Sequence, residues 1–479
     1  MKTPILGSTY VARSVNAADA RMVNLFPEII PEGGKEPAFL QRCPGMTLLS
    51  TVGFGPIRGL WAFSSDDGVG FVVSGTQLYK INNAYVPTLI GTIAGTGPVS
   101  MADNGTQLFI AANGPGYIYN ANTNAFGQIT DPDFPGAGTV CYLDGYFVFN
   151  EPNSQKMWVT ALLDGTSIDP LEFVRTEGSP DGLLAVASNF REVWAFGSNS
   201  IEVWSDSGAT DFPLQRIQGA FNELGLAAPF SVAKMDNGLF WLGRDRRGQG
   251  IVYRANGYQG QRISTHAVEW HIQQYGNMSD AVAYTYQQDG HSFYVLIFPS
   301  ANTTWVYDAA TQAWHERAGF VDGDFTRHRS NCQMAFNNEI VVGDFENGNI
   351  YAFDQDVYAD NGQIQKWLRT WRALPTGQNN LKRTAHHSLQ IDLETGVGLN
   401  LGQGSDPLIM LRWSDDGGHT WSNEHWAPVG KIGAYYQRAF FRRLGMTLKL
   451  RDRVYELSMT DPVKTAIMGA ELILSPTNA

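Results

Sequence analysis

Short runs in which apolar and polar residues alternate, broken at close intervals by Gly, Asn or Asp, occupy most of this chain. A two-residue period is that of a half-buried strand, and no sustained 3.6-residue helical period accompanies it. The runs recur as a phrase: an alternating strand, a Gly/Asn turn, then a second strand carrying an aromatic–aliphatic pair. GFVVSGTQLYKI, TQLFIAANGPGYIYN, REVWAFGSNSIEVWS and EIVVGDFENGNIYAF are four of its seven occurrences. The second strands centre on positions 78, 118, 158, 202, 252, 306 and 350, with steps of 40, 40, 44, 50, 54 and 44. A repeat of this length with two or more strands per unit predicts propeller blades, because a lone blade cannot bury its own faces and must stack radially. About seven blades are expected over residues 55–365, or six if one hairpin belongs to a decoration, with Trp194, Trp204, Trp241, Trp305 and Trp314 packed between them.

The flanks have other rhythms. Residues 1–54 contain NLFPEIIPEGGKEPAFLQRCPG, punctuated by Pro and Gly, and read as an extended N-terminal strap lying on another surface. Residues 366–479 carry longer alternating strands, such as LIMLRWSDDGGHTWSNEHW, and predict a β-sandwich. The fold class is therefore all-β: strap, propeller, sandwich.

Composition agrees with that pattern. Charged residues are 17% of the chain, and Gly supplies 51 of 479 positions, which suits turn-rich sheets rather than helical bundles. Charge is divided unevenly. Residues 1–360 hold 20 basic and 36 acidic side chains, a net −16, while residues 361–479 hold 14 and 10, a net +4. An acidic body does not grip DNA phosphates non-specifically, since such affinity comes from Lys and Arg displacing counterions. Cys43, Cys141 and Cys332 lie far apart without CxxC spacing, and are expected as buried free thiols. The N-terminus lacks an apolar stretch of signal-peptide length and no apolar run reaches membrane-spanning length, so a soluble protein folded in cytoplasm, without stable membrane insertion, is expected.

Candidate chemistry is sparse. Ser414, Asp416, Gly418, Thr420 and Trp421 match the S-x-D-x-G-x-T-W spacing of an Asp-box, a hairpin turn in which carboxylate and hydroxyl bond loop amides. Its expected role is structural. The carboxylate pairs Asp322/Asp324, Asp354/Asp356 and Asp415/Asp416 read as turn caps, and His266/His271, His386/His387 and His419/His425 as surface or turn residues. GxxxxGK[ST], HExxH and GxSxG do not occur. No catalytic residue, cofactor site or metal site is predicted. The basic clusters Arg244/Arg246/Arg247 and Arg438/Arg442/Arg443 with Lys449, Arg451 and Arg453 suggest patches complementary to acidic protein surfaces.

Several stretches resemble one family. PGMTLLSTVGFGPIRGL (44–60), EGSPDGLLAVASNFREVWAFGSNSIEVWSDSG (177–208), WVYDAATQAWHER (305–317) and the pairing of WSDDGGHTWS with RRLGMTLKLR are similar to the packaged-DNA stabilisation, or tail hub (nozzle), proteins of short-tailed phages. The resemblance implies a non-enzymatic virion protein assembled in the host cytoplasm. It further implies a hexameric ring that closes the portal channel, retains the packaged genome and connects the adaptor to a tail needle, tip or fibres. DNA would pass through the lumen without sequence-specific binding. The residues expected at the assembly interface are Asn24, Phe26 and Pro27 in the strap, and Arg442, Arg443, Lys449 and Arg451 in the C-terminal strands. The residues alone leave open a carbohydrate-active propeller or a generic protein-binding propeller.

Overall fold

The computed structural model describes residues 1–15, 17–209, 212–245, 247–374, 382–448 and 452–477. Each repeat read from the sequence folds into an antiparallel sheet, and the residue used to mark it falls in the third strand. Those third strands are Gln77–Ile81, Gly116–Asn120, Lys156–Val159, Ile201–Asp206, Gly250–Asn256, Thr303–Asp308 and Asn349–Asp354. Numbered in chain order, they define blades 1 to 7. Tight hairpins join the innermost strand of a blade to the next. Asp144-Gly145 in blade 3 and Asp289-Gly290 in blade 6 both sit at positive φ, where short polar residues and Gly are tolerated and whose twist matches the flanking strands.

The core of the propeller is divided among the gaps between blades. Phe71, Leu78, Leu108 and Tyr119 fill the gap between blades 1 and 2, and Trp194, Phe196, Trp241 and Tyr253 that between blades 4 and 5. Val72, Ile81, Val341 and Ile350 close the ring between blades 1 and 7. Trp194, Trp204, Trp241, Trp305 and Trp314 are all buried, as the repeat predicts for inter-blade packing. Burial of such a side chain contributes about 1.5–3 kcal/mol, so every gap is a substantial adhesive seam.

Ring closure comes from the N-terminus. Gly45–Thr51 pairs antiparallel with Asn349–Asp354 and supplies the fourth strand of blade 7, with Met46 opposite Phe353 and Leu48 opposite Tyr351. The stretch counted in the strap thus ends as a blade strand. Its first residue must be Gly: a Cβ at Gly45 would lie 2.4 Å from the Ala359 carbonyl oxygen and 2.6 Å from that of Val357.

The remaining N-terminal residues do not lie on a surface as a simple strap; they are woven into the sandwich. One sandwich sheet holds Thr384–Leu393, Ala439–Met446 and Ala466–Pro476, and Ala38–Arg42, Leu25–Ile29 and Lys2–Thr3 extend it. The other holds Trp367–Arg372, Val454–Met459, Leu408–Ser414 and His425–Pro428. Met22–Val23 inserts between Trp367–Arg372 and the outer strand of blade 6, so this sheet runs without a break into the propeller. Leu25 and Leu40 pack with Trp367, Trp371, Tyr455 and Leu457 in the sandwich core. A helix, unforeseen in the repeat, spans His266–Gln273 in the connection from blade 5 to blade 6, with Thr265 capping its N-terminus. It carries His266, which is exposed, and His271, which is half-buried.

Candidate assembly surfaces

The centre of the propeller is the first place to look for chemistry. The innermost strands of all seven blades line a channel of about 450 Å³. Two of its charged groups are tied down by structural bonds. Arg58 donates to the carbonyls of Gly97 (2.6 Å), Gly75 (2.9 Å) and Ala94 (3.1 Å), and Asp103 accepts from the Trp61 indole at 2.6 Å. Among the described residues no group of three or more His, Cys, Asp or Glu is placed to hold a metal ion. Nor is any described helix long and apolar enough to cross a membrane. Cys43, Cys141 and Cys332 are free thiols, and burial pushes them up to about 11, 12 and 12 respectively, far from thiolate reactivity.

The three strap residues expected at an assembly interface are buried inside the chain. Asn24 lies at φ 54°; its amide nitrogen donates to the carbonyls of Ala318 (2.8 Å) and Lys366 (2.7 Å), while its amide oxygen accepts from the Ala318 N–H (2.9 Å). It therefore staples the strap to the crossover between propeller and sandwich. Phe26 meets Phe293 and His291 edge-on, with ring centroids 5.4 and 5.1 Å apart, and Pro27 is buried beside it. An N-terminal stretch rich in Pro and Gly looks superficial in sequence, yet the weave places it between two domains. That reading is corrected: these residues join domains within one chain.

Three arginines reinforce this seam, and residue type gave no hint of them because Arg is normally exposed. Arg42 donates to the carbonyls of Asp461 (2.6 Å), Val463 (2.9 Å), Tyr358 (3.1 Å) and, more closely, Gln365. Arg317 reaches the Pro44 carbonyl (2.7 Å) and the Tyr286 hydroxyl (3.0 Å), and lies over the Phe353 ring. Arg369 donates to the Ile5 carbonyl at 2.7 Å. Burial raises the Asp360 carboxyl to about 6, against the opposing pull of Arg317.

The C-terminal basic strands divide. Arg442 and Arg443 are exposed on Ala439–Met446, which ends its sheet, and the Arg442 guanidinium lies 4.8 Å from the Phe440 ring centroid. Arg438 is also exposed, but Arg453 is buried and forms a bidentate pair with Asp415 at 2.7 and 2.8 Å. Arg453 is thus a structural cation, and Asp415 is its counter-ion rather than a turn cap. Lys449 and Arg451, and Arg246 of the other basic cluster, lie outside the described residues. Arg244 donates to the Ser198 carbonyl at 2.8 Å, joining blade 5 to blade 4. Beside the exposed arginines, the loop before the edge strand presents Ile432, Tyr435 and Tyr436, the last fully exposed at 100%. These aromatics stand in a Gly-bounded loop with no strand or helix period to mark them in the sequence.

The Asp-box forms a closed turn. Asp416 accepts from the N–H groups of His419 (3.0 Å) and Thr420 (2.9 Å) and from the hydroxyls of Thr420 and Ser414 (both 2.6 Å). Those hydrogen bonds hold its carboxyl well below the usual range, the Ser414 hydroxyl contributing most. Gly417 and Gly418 supply positive φ, and Trp421 sits under the Arg412 guanidinium at 4.9 Å. Its carboxylate is saturated by loop donors. His386 also departs from expectation: it is buried, with its ring nitrogens 2.7 Å from the Tyr455 hydroxyl and 3.0 Å from that of Thr384.

Fold and side chains together define a propeller–sandwich protein. The family models described as "Bacteriophage P22 Gp10, beta-propeller" and "Bacteriophage P22 Gp10, beta-sandwich" match residues 1–358 and 366–474. The chain belongs to this P22 Gp10 family, which bears out the resemblance to tail hub proteins and the all-β propeller and sandwich architecture. A curated relative, the "Tail hub protein gp10" of Salmonella phage P22, is 23% identical over 431 residues, covering 86% of each chain. Solved structures with some likeness include the N-terminal domain of Nup159 (9% identity, TM-score 0.41, 68% of this chain and 97% of that one). Another is virginiamycin B lyase from Staphylococcus aureus (11% identity, TM-score 0.41, 68% and 98%). Membership places the chain among structural proteins of the phage tail hub.

Proposed function

We propose that this chain is a non-enzymatic tail hub subunit, assembled in the host cytoplasm, that forms a hexameric ring closing the portal channel. The ring retains the packaged genome and connects the adaptor to a needle, tip or fibres. The observation that carries the reading is that both Gp10 family models fit this one chain in order, across propeller and sandwich. The physical properties support it. A wheel braced by its own N-terminal weave offers a fixed scaffold for assembly, and a chain of net charge −12 lets DNA slide past without holding it. The channel inside a single propeller, about 450 Å³, is too small for a duplex. DNA therefore passes between subunits, and the reading requires several copies around a shared lumen.

The test is quantitative peptide mass spectrometry on purified virions, normalised to the portal. A fixed ratio of half the portal's copy number is expected. Absence from particles would overturn the reading, and glycan binding by the propeller would then be assayed.

A further inference from the structure

Four large apolar side chains stand out on the propeller. Leu162, Leu163, Leu171 and Phe190 are 59–80% exposed and belong to blade 3 and the adjoining turn of blade 4. Two of them are held at a cost. Leu163 has φ 59° and Phe190 φ 55°, a region that L-residues with bulky side chains rarely occupy. At the same hairpin blades 3, 5, 6 and 7 use Asp144-Gly145, Asp236-Asn237, Asp289-Gly290 and Asn337-Asn338, residues suited to positive φ. Blade 4 has Phe190-Arg191 there instead. Arg191 bonds Asp144 at 3.0 Å and so ties the two turns together. Both residues keep this conformation while 60% and 64% exposed, Phe190 under the Lys234 ammonium at 6.0 Å, and strain maintained at so exposed a position points to a use outside the chain.

The surroundings specify the chemistry of that use. Residues 161–172 (ALLDGTSIDPLE) carry three acidic side chains, Asp164, Asp169 and Glu172, and no basic one. Leu162 and Tyr146 border a groove of about 450 Å³ there. The opposite character appears on the sandwich. Residues 430–448 (GKIGAYYQRAFFRRLGMTL) carry four basic side chains and no acidic one, with Ile432, Tyr435 and Tyr436 exposed beside Arg442 and Arg443. Arg443, at φ 60°, is another exposed residue with a long side chain in the left-handed region.

These surfaces do not meet within one chain. The sandwich is joined to blade 6 through Met22–Val23 and to blade 7 through the strand Gly45–Thr51, against which Ala359–Asp360 also pairs. Going round the closed ring, blade 3 is three blades from blade 6 one way (6 to 5 to 4 to 3) and three from blade 7 the other (7 to 1 to 2 to 3). The acidic leucine patch is therefore opposite the sandwich attachment.

We infer that the blade 3–4 patch (Leu162, Leu163, Leu171, Phe190) docks on the basic aromatic edge of the sandwich (Tyr435, Tyr436, Arg442, Arg443) of a second copy of this chain. Apolar surface matches apolar surface, and the carboxylates of the leucine segment, with Arg191 and Lys234 confined to the Phe190 end, complement the basic rim of the sandwich, which favours one register. Two different patches at opposite ends of one subunit make a heterologous contact, the kind that propagates and closes into a ring. The inference rests on the ring reading above and deepens it by naming both faces of the subunit contact.

The test uses the full-length chain in sedimentation velocity over a concentration series, with two variants. L163G relieves the positive-φ strain and removes the apolar group; it is expected to melt no lower than wild type while weakening association about 10- to 100-fold, the worth of one buried Leu. R442E/R443E alters only exposed sandwich residues and is expected to weaken association while retaining the wild-type circular dichroism spectrum and melting temperature. Mixing the two variants pairs the intact sandwich of one with the intact propeller patch of the other, so dimers that do not grow further are expected. Variants that associate like wild type, a wild-type chain that stays monomeric at its highest soluble concentration, or a mixture that yields no dimer would each overturn the inference. The last of these would assign the patches to other virion proteins. The hub reading fails separately, on absence from virions.

Discussion

Replacing Asn24 by Ala should detach the N-terminal weave from the rest of the molecule. Its side chain satisfies three backbone groups, the N–H and carbonyl of Ala318 and the carbonyl of Lys366, in a site closed to water. Each buried backbone group left unpaired costs about 1–3 kcal/mol, so three cost at least about 3 kcal/mol. Ala at φ 54° adds about 1 kcal/mol, since its Cβ crowds the following carbonyl. A loss of about 4 kcal/mol is expected, a large part of the 5–15 kcal/mol that holds a typical domain together. Asn24→Gly keeps the backbone conformation while losing the bonds, and should fall short of the Ala loss by about 1 kcal/mol. Asn24→Asp keeps the acceptor but turns a carboxylate oxygen toward two carbonyls, and should be as damaging as Ala. Urea unfolding followed by Trp fluorescence reads the total, with Trp367 and Trp371 as reporters in the sandwich core. Hydrogen exchange at residues 22–25 shows whether the weave opens first. Asn24→Ala within 1 kcal/mol of wild type would refute the argument that this residue staples the domains.

Burial, with a smaller contribution from Arg453, lowers His386 to about 3. A folded-state value below the unfolded value of about 6.5 means that stability is full above that pH and is lost as pH falls toward 3. His386→Gln should therefore lose about 2 kcal/mol less than wild type between pH 6.5 and 5, measured by urea titration at each pH. Gly45→Ala brings a methyl against the carbonyls of Ala359 and Val357 and should cost about 1–3 kcal/mol in unfolding experiments, loosening the strand that closes the ring. Asp416→Ala releases the loop amides of His419 and Thr420, and should increase limited proteolysis between residues 414 and 421 without altering the melting of the propeller.

Seven third strands were legible because the signals that mark them are local: period-two alternation, a Gly or Asn turn, and an aromatic–aliphatic pair within a dozen residues. The inter-blade tryptophans followed from the same periodicity, since a residue on a blade face has only a neighbouring blade to pack against. The Asp-box was legible for a similar reason, its donors and acceptors lying within eight residues. Partner choice over long separations was not encoded in that way. Nothing in the stretch 45–51 announces that its partner is 349–354, because a strand's alternation states which face is buried and not which ladder it joins. Arg453 read as part of a surface basic patch, and nothing in the sequence marked Arg42, Arg317 or Arg369 as buried, because only the fold brings together the carbonyls and carboxylates that let each be buried. Asn24 likewise looked like a docking residue until the crossover of the two domains surrounded it. Sequence thus determined the architecture, through local periodicity repeated often enough to leave few alternatives. Tertiary structure decided the closure of the ring, the weave of the N-terminus and which charges remain free to meet another molecule, because those depend on groups hundreds of residues apart arriving at the same place.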